Sequence, residues 1–190
     1  MAATLVSIIY GVTFTIAKDV MPEFIEPFGF ILLRVGGSVL LFWMVSFFGP
    51  KEKIAKSDFP RIIAAAFFGV ALNMLTFFKG LSYTSPIMGA VLMVTTPMIV
   101  LILSAIIMKE RMLKRKVFGI VLGLAGTVSL ILYGKSMINA PNEMLGNLLV
   151  FINAISYGFY LIIVKKLMDK YNAFTFVKWI YTFGFIMVLP

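Results

Sequence analysis

Long apolar stretches alternate with short charged stretches along the whole chain. Seven apolar segments of membrane-helix scale can be delimited in this way. They cover residues 2–17, 27–48, 62–78, 86–108, 117–133, 144–164 and 173–190. Because backbone amides in hydrocarbon must form hydrogen bonds within their own segment, each segment is predicted to be a helix. The pattern therefore predicts an all-α polytopic membrane protein.

Lysine and arginine are distributed unequally between the loops. The loops after the second, fourth and sixth segments carry twelve of these residues, whereas the other three loops carry only Lys18, Lys79 and Lys135. Basic loops remain in the cytoplasm, which predicts a multi-pass protein of the cell inner (cytoplasmic) membrane with a cytoplasmic N-terminus. The net charge of +9 then mainly reflects topology. We predict no nucleic-acid partner from it.

This topology can be tested with reporter proteins fused to two loops. A reporter at Lys114 is expected in the cytoplasm and a reporter at Ser136 outside, because the first loop is basic and the second is not. Alkaline phosphatase and green fluorescent protein fusions, which are active on opposite sides, provide the measurement. Finding both loops on the same side would contradict the predicted topology.

The composition narrows the chemistry that the chain can perform. Of its 190 residues 61% are apolar and only 13% are charged, and it contains neither cysteine nor histidine. Thiol nucleophiles, disulfides and metal sites built from Cys or His are therefore excluded. No Asp or Glu lies within any apolar segment, and no serine has an evident base to activate it. We predict that the chain is not an enzyme and that it uses neither a metal nor a cofactor.

Two stretches of the chain resemble each other at a shift of 147 positions. Residues 8–21 and 155–168 share Ile, Tyr, Gly, Ile, Lys and Met at corresponding positions, including a Tyr-Gly pair with a lysine seven residues after the glycine. The two copies lie in the first and sixth segments and extend just past their ends, so they cross the membrane in opposite directions. This is the pattern of an inverted repeat, which many secondary transporters use. It predicts a first repeat of five helices at 1–133, a connector at 134–143 and the start of a second repeat at 144–190.

Several short motifs support the same architecture. They are Leu33-Arg34, the run Lys-Gly-Leu-Ser-Tyr-Thr-Ser at 79–85, Pro97, Lys109-Glu110, and the glycines at 119 and 126. In this order and spacing, the chain resembles the EamA family of the drug/metabolite transporter superfamily. The resemblance implies a ten-helix carrier that exports amino acids or other small metabolites. We expect this chain to cover the first seven helices, so that the ten-helix architecture is truncated after helix seven.

The repeat and the resemblance together predict a secondary transporter that works by alternating access. We expect it to export small metabolites, such as amino acids or drug-like solutes. Its partners would be a small-molecule substrate and the lipid bilayer, with a homodimer as a further possibility. A membrane-embedded enzyme and a structural membrane protein without transport are the alternatives.

Arg34 is the most costly residue to place in a membrane. It lies seven positions after Pro27, about 10 Å into the second segment at 1.5 Å per residue. One interpretation is that its guanidinium faces a cavity and receives an anionic group of the substrate. The alternative is that it extends towards the surface and pairs with Glu23 or Glu26 as a structural clamp.

The sixth segment carries a stripe of polar side chains at helical spacing. The residues are Asn153, Ser156, Tyr157 and Tyr160, and the repeat places Tyr10 and Thr13 at the positions of Tyr157 and Tyr160. Two such stripes at the interface between repeats predict a substrate path. Hydrogen bonds between packed helices would explain the same stripes.

Four further residues are candidates for the path or its gate. Asn73 lies on a small-residue face, which favours packing but permits a place in the path. Thr95 and Thr96 precede Pro97 in mid-segment, where proline predicts a bend that could act as a hinge or expose a carbonyl. Glu110 lies among basic residues at the end of the fourth segment. It is predicted to form a gate or a structural ion pair.

Overall fold

The computed structural model describes residues 23–49, 52–93, 95–109, 113–133 and 142–189, together with 4, 9, 12, 13, 16, 17 and 19–21. This part of the chain is mainly helical and contains no strand. The helices are α1 (Pro27–Phe48), α2 (Lys56–Tyr83), α3 (Pro86–Met93), α4 (Thr96–Ile107), α5 (Lys114–Tyr133), α6 (Glu143–Met168) and α7 (Ala173–Val188).

The helices confirm the predicted segments from the second to the seventh, and α3 and α4 together form the fourth. The first segment lies mostly outside the described residues, although those described between 4 and 20 are helical.

Local sequence signals explain where several helices begin. Proline occupies the first turn of α1, where its missing N–H costs no hydrogen bond. The side chain of Asn142 accepts a hydrogen bond from the Leu145 N–H at 3.3 Å and caps α6. Asn172 caps α7 in the same way, accepting from the Phe174 N–H at 3.1 Å. These caps define where both helices of the predicted second repeat begin.

Helix α2 changes its winding three times along its length. It begins with a 3₁₀ turn at Lys56–Asp58 and continues as an α-helix over Phe59–Ala66. A π turn at Phe67–Ala71 then precedes a second α-helical part at Leu72–Tyr83. Such π turns in α-helices are rare and are frequent at functional sites.

The bend predicted before Pro97 falls where α3 ends and α4 begins. Helix α3 ends at Met93 and α4 begins at Thr96, with the proline in its first turn. The Thr95 hydroxyl donates a hydrogen bond to the Leu92 carbonyl at 2.6 Å. The Leu92 carbonyl also accepts a hydrogen bond from the Thr95 N–H at 3.0 Å, so Thr95 forms a local turn just before the proline.

The described helices have the length and surface of a multi-pass membrane protein. Three of them, α1, α2 and α6, are long and apolar enough to cross a bilayer, and α7 is a shorter apolar helix. Large apolar side chains on α1 are strongly exposed, with Leu33 at 70%, Leu40 at 69% and Phe47 at 76%. In water such a surface would favour association, whereas in a bilayer it contacts lipid.

The core lies where α2 packs against α6 and α7. Gly80 of α2 and Gly146 of α6 meet so closely that a Cβ on Gly146 would lie 2.8 Å from the Gly80 carbonyl oxygen. Gly184 of α7 similarly packs against Val70 of α2. Small residues allow helix backbones to approach closely, which is the usual basis of helix association in membranes.

Candidate functional site

A cavity of about 250 Å³ lies among α1, α2, α6 and α7. Its volume is slightly below the range of roughly 300 to 1,000 Å³ that is common for small-molecule sites. The lining combines one guanidinium, two amides, three phenols and apolar side chains. The residues are Thr13, Arg34, Gly69, Val70, Asn73, Met74, Phe77, Phe78, Met93, Asn153, Tyr157, Tyr160, Ile180 and Tyr181.

Arg34 contributes the guanidinium to this cavity. Its guanidinium carbon lies 5.6 Å from the centroid of the Phe78 ring, which is within the range of a cation–π contact. Among the described residues, the salt bridges are those of Asp58 with Arg61 and with Lys170. The predicted clamp with Glu23 or Glu26 is therefore not formed in this structure, because the guanidinium is directed at Phe78 and the cavity.

Two asparagines tie α2 to α6 at the cavity wall. The Asn153 side-chain amide donates to the Asn73 carbonyl at 2.8 Å, and the Asn73 amide donates to the Asn153 carbonyl at 3.4 Å. This reciprocal arrangement gives both residues a packing role in addition to their place in the cavity lining. The side-chain oxygen of Asn153 is buried and has no hydrogen-bond partner among the described atoms.

The polar stripe of α6 divides between the cavity and the helix interface. Tyr157 and Tyr160 line the cavity with their ring centroids 5.7 Å apart, and Tyr160 lies against Gly69 in the π turn of α2. Ser156 does not line it. Its hydroxyl donates to the Phe68 carbonyl of the same π turn at 2.6 Å, and the residue is buried. The helical spacing that groups these residues is correct, but Ser156 points into the α2–α6 contact.

The remaining predicted residues lie elsewhere or outside the described part of the chain. Thr95 and Thr96 are buried at the α3–α4 break and do not line this cavity, because the break points their side chains into the local packing. The Thr96 hydroxyl has no partner among the described atoms. Tyr10 and Glu110 lie outside the described residues. Thr13, the repeat counterpart of Tyr160, does line the cavity.

Sequence reasoning missed Tyr181 and the aromatic residues Phe77 and Phe78 in the lining. Tyr181 belongs to α7, in which aromatic residues occur on several faces. No polar stripe therefore marks its direction. Only the packing of α7 against α1 and α2 reveals that it faces the cavity.

Contacts between α1 and α7 join the two helices that carry Arg34 and Tyr181. The Trp43 indole N–H donates to the Thr182 hydroxyl at 3.0 Å. The Lys178 ammonium donates to the Ser46 hydroxyl at 2.6 Å and lies 4.9 Å from the centroid of the Trp43 ring. These contacts fix the relative position of the two helices.

A hydrogen-bonded network joins the α1–α2 connection to the α6–α7 connection, and we call it the loop cluster. The buried Asp58 carboxylate accepts from the Tyr171 hydroxyl at 2.9 Å, from Lys170 at 3.2 Å and from Arg61 at 3.1 Å. The Glu52 carboxylate accepts from the Asn172 N–H and from the Thr175 hydroxyl, both at 2.9 Å. Two carboxylates thus bind two neighbouring loops together.

An apolar layer separates the loop cluster from the cavity. Asp58 lies eleven residues before Gly69, or about 16 Å along a helix. The side chains between these two levels are almost fully buried, and we call them the apolar plug. They are Ile62, Ala65, Ala66, Val164, Leu167 and Phe176. The cavity is therefore closed on the side of the loop cluster.

The fold and the cavity define a polytopic helical membrane protein with a polar internal cavity. The chain belongs to the EamA-like transporter family, whose model matches residues 1–132. This places it in the drug/metabolite transporter superfamily.

Relatives with similar sequences are named as transporters. The chain is 29% identical over 183 residues to an uncharacterized transporter of Archaeoglobus fulgidus, covering 95% of this chain and 62% of that protein. It is 28% identical over 138 residues to the uncharacterized transporter YetK of Bacillus subtilis, covering 72% and 42%. A WAT1-related protein of Arabidopsis thaliana is 28% identical over 147 residues, covering 72% and 41%.

The chain spans 41–64% of the length of the curated relatives that it matches. No solved structure matches it.

Proposed function

We propose that the protein is a secondary transporter that moves small organic solutes across the cytoplasmic membrane by alternating access. The observation that carries this proposal is the internal cavity, whose lining comes from both predicted repeats. Thr13, Arg34 and Asn73 come from the first repeat, and Tyr157 and Tyr181 come from the second. In transporters built from inverted repeats, the substrate site lies at the interface between the repeats, near the middle of the membrane.

The closed side of the cavity supports alternating access. A carrier of this kind must close one side of its site while the other side opens. Here the apolar plug and the loop cluster close the side on which α1 ends and α2 and α7 begin. The two loops of the cluster belong to the basic set that the charge distribution assigns to the cytoplasm. We therefore propose that this conformation is closed towards the cytoplasm. Export as the direction of transport is proposed from the resemblance to the drug/metabolite transporter superfamily and not from the closed side.

The proposal predicts solute exchange in reconstituted vesicles. The protein, with any further residues that its reading frame encodes, is reconstituted into liposomes loaded with unlabelled amino acids and organic acids. Uptake of a labelled member of the same panel is expected to exceed that of protein-free liposomes by about tenfold, because a carrier cycle exchanges solutes across the bilayer. A folded, reconstituted protein that exchanges no member of a broad panel would contradict a transport function.

A matched variant controls for the effect of changing a charge away from the cavity. Lys53 is exposed and lies away from the cavity lining, so Lys53→Gln changes charge without changing the site. Its exchange rate should equal that of the unchanged protein.

A further inference from the structure

The cavity lining carries one positive charge and no negative charge among the described residues. Arg34 is the cation, and the other lining residues are neutral. The sequence extends this observation, since none of the seven predicted apolar segments contains Asp or Glu. A solute bound here therefore meets a guanidinium but no carboxylate from these segments.

From this arrangement we propose that the cavity selects organic carboxylates of net negative charge over zwitterions and amines. This proposal rests on the proposed function of the cavity as a solute site. Arginine presents a planar fork of N–H donors that matches the two oxygens of a carboxylate. The Phe78 ring at 5.6 Å leaves these donors without an anionic partner among the described residues. A carboxylate supplies that partner.

The same geometry disfavours a positively charged group. An ammonium in the cavity would share a small volume with Arg34, and the two like charges would repel each other. The described lining offers an ammonium tyrosine and phenylalanine side chains but no carboxylate. Contacts with these side chains are weaker than an ion pair with a carboxylate. The positive charge of a buried ammonium would therefore be only partly compensated.

The apolar part of the lining defines the remainder of the ligand. Met74, Phe77 and Ile180 offer apolar surface, and the cavity volume of about 250 Å³ suits a compact body. One guanidinium matches one carboxylate, whereas a phosphate dianion would require further cationic partners. The ligand class is therefore a small monocarboxylate with an apolar or aromatic body.

Three probes with the same aromatic body and different charges test this selectivity. Phenylacetate is an anion, phenylalanine is a zwitterion and phenethylamine is a cation. Their equilibrium binding to the purified protein in lipid nanodiscs can be measured by calorimetry. Phenylacetate is expected to bind at least about tenfold more tightly than either of the other two. Equal or tighter binding of phenylalanine or phenethylamine, or no binding of phenylacetate, would overturn the proposal.

Substitutions of Arg34 test whether this residue causes the preference for the anionic probe. Arg34→Gln should weaken phenylacetate binding by about tenfold or more and reduce the difference between the three probes. Arg34→Lys keeps the charge but loses the fork, so it should retain part of the preference. Lys53→Gln, an exposed change of the same kind in a loop, should leave all three affinities unchanged. Unchanged phenylacetate affinity in folded Arg34→Gln would also overturn the proposal.

The binding assay separates this proposal from the proposed function. Selective binding without exchange in liposomes would remove the transport function and leave the carboxylate site intact. Solute exchange in liposomes without a preference for the anion would support the transport function and contradict the carboxylate site. If Arg34→Gln does not fold, the three probes on the unchanged protein still decide the question.

Discussion

Asp58→Asn is expected to expose the apolar plug to the solution on the side of the loop cluster. The asparagine keeps the size of the side chain but removes the charge that Tyr171, Lys170 and Arg61 share. The closed arrangement of the two loops thereby loses stability relative to an open one. A cysteine introduced as Ala65→Cys reports the change, because Ala65 is fully buried and the natural chain contains no other cysteine.

The measurement is the rate of reaction with a membrane-impermeant maleimide in inside-out vesicles. We expect the rate to rise by about tenfold in the Asp58→Asn background, a change of the size usual for coupled conformational equilibria. Asp169→Asn is the matched control, because it makes the same substitution at an exposed residue of the same loop region. Two results would show that the loop cluster does not stabilise the closed arrangement. One is an equal change of the reaction rate in both variants, and the other is an unchanged reaction rate in folded Asp58→Asn.

Gly146→Ala is expected to destabilise the protein, although alanine is the better helix former. The added Cβ would lie 2.8 Å from the Gly80 carbonyl oxygen and 2.8 Å from the Thr84 backbone nitrogen. Backbone atoms cannot turn aside as a flexible side chain can, so α2 and α6 would have to separate. Overpacking of this kind costs roughly 1–3 kcal/mol.

The control for this substitution is the same change on the lipid-facing side of α1. A Cβ on Gly37 would meet no atom within 4 Å. Gly37→Ala should therefore be neutral, or stabilising by up to about 1 kcal/mol because of its higher helix propensity. Thermal unfolding in detergent compares the two variants. A melting temperature of Gly146→Ala equal to that of Gly37→Ala would show that the close approach of α2 and α6 does not limit stability.

The positions of the helices could be predicted from the sequence with few errors. Hydrophobic segments must form helices in a membrane, and the second segment coincides with α1 at both ends. The end of α3 and the start of α4 lie just before Pro97, where the proline removes a backbone donor and a bend is predicted. The apolar segments predict the beginnings of α2 and α5 later in the chain than the structure places them. Charged residues near a membrane surface can continue a helix outside its apolar part.

The candidate site could be predicted only in part. Arg34, Asn73, Asn153, Tyr157 and Tyr160 do line the cavity, since polar groups in an apolar helix must face other protein groups. Ser156 shares their helical spacing but donates to a backbone carbonyl in the π turn, and no sequence pattern indicates that turn. The loop cluster was also missed. Its members are ordinary loop residues, and apart from Arg61 the partners of Asp58 lie more than a hundred positions away.

The π turn of α2 has a consequence for the whole cavity. One additional residue in a helix rotates everything that follows by about 100° and advances it by about 1.5 Å. Ile62 and Ala65 of the apolar plug precede the turn at Phe67–Ala71, whereas Asn73 and Phe77 of the cavity wall follow it. The additional residue in the π turn therefore changes the angle between the side chains of the apolar plug and those of the cavity wall.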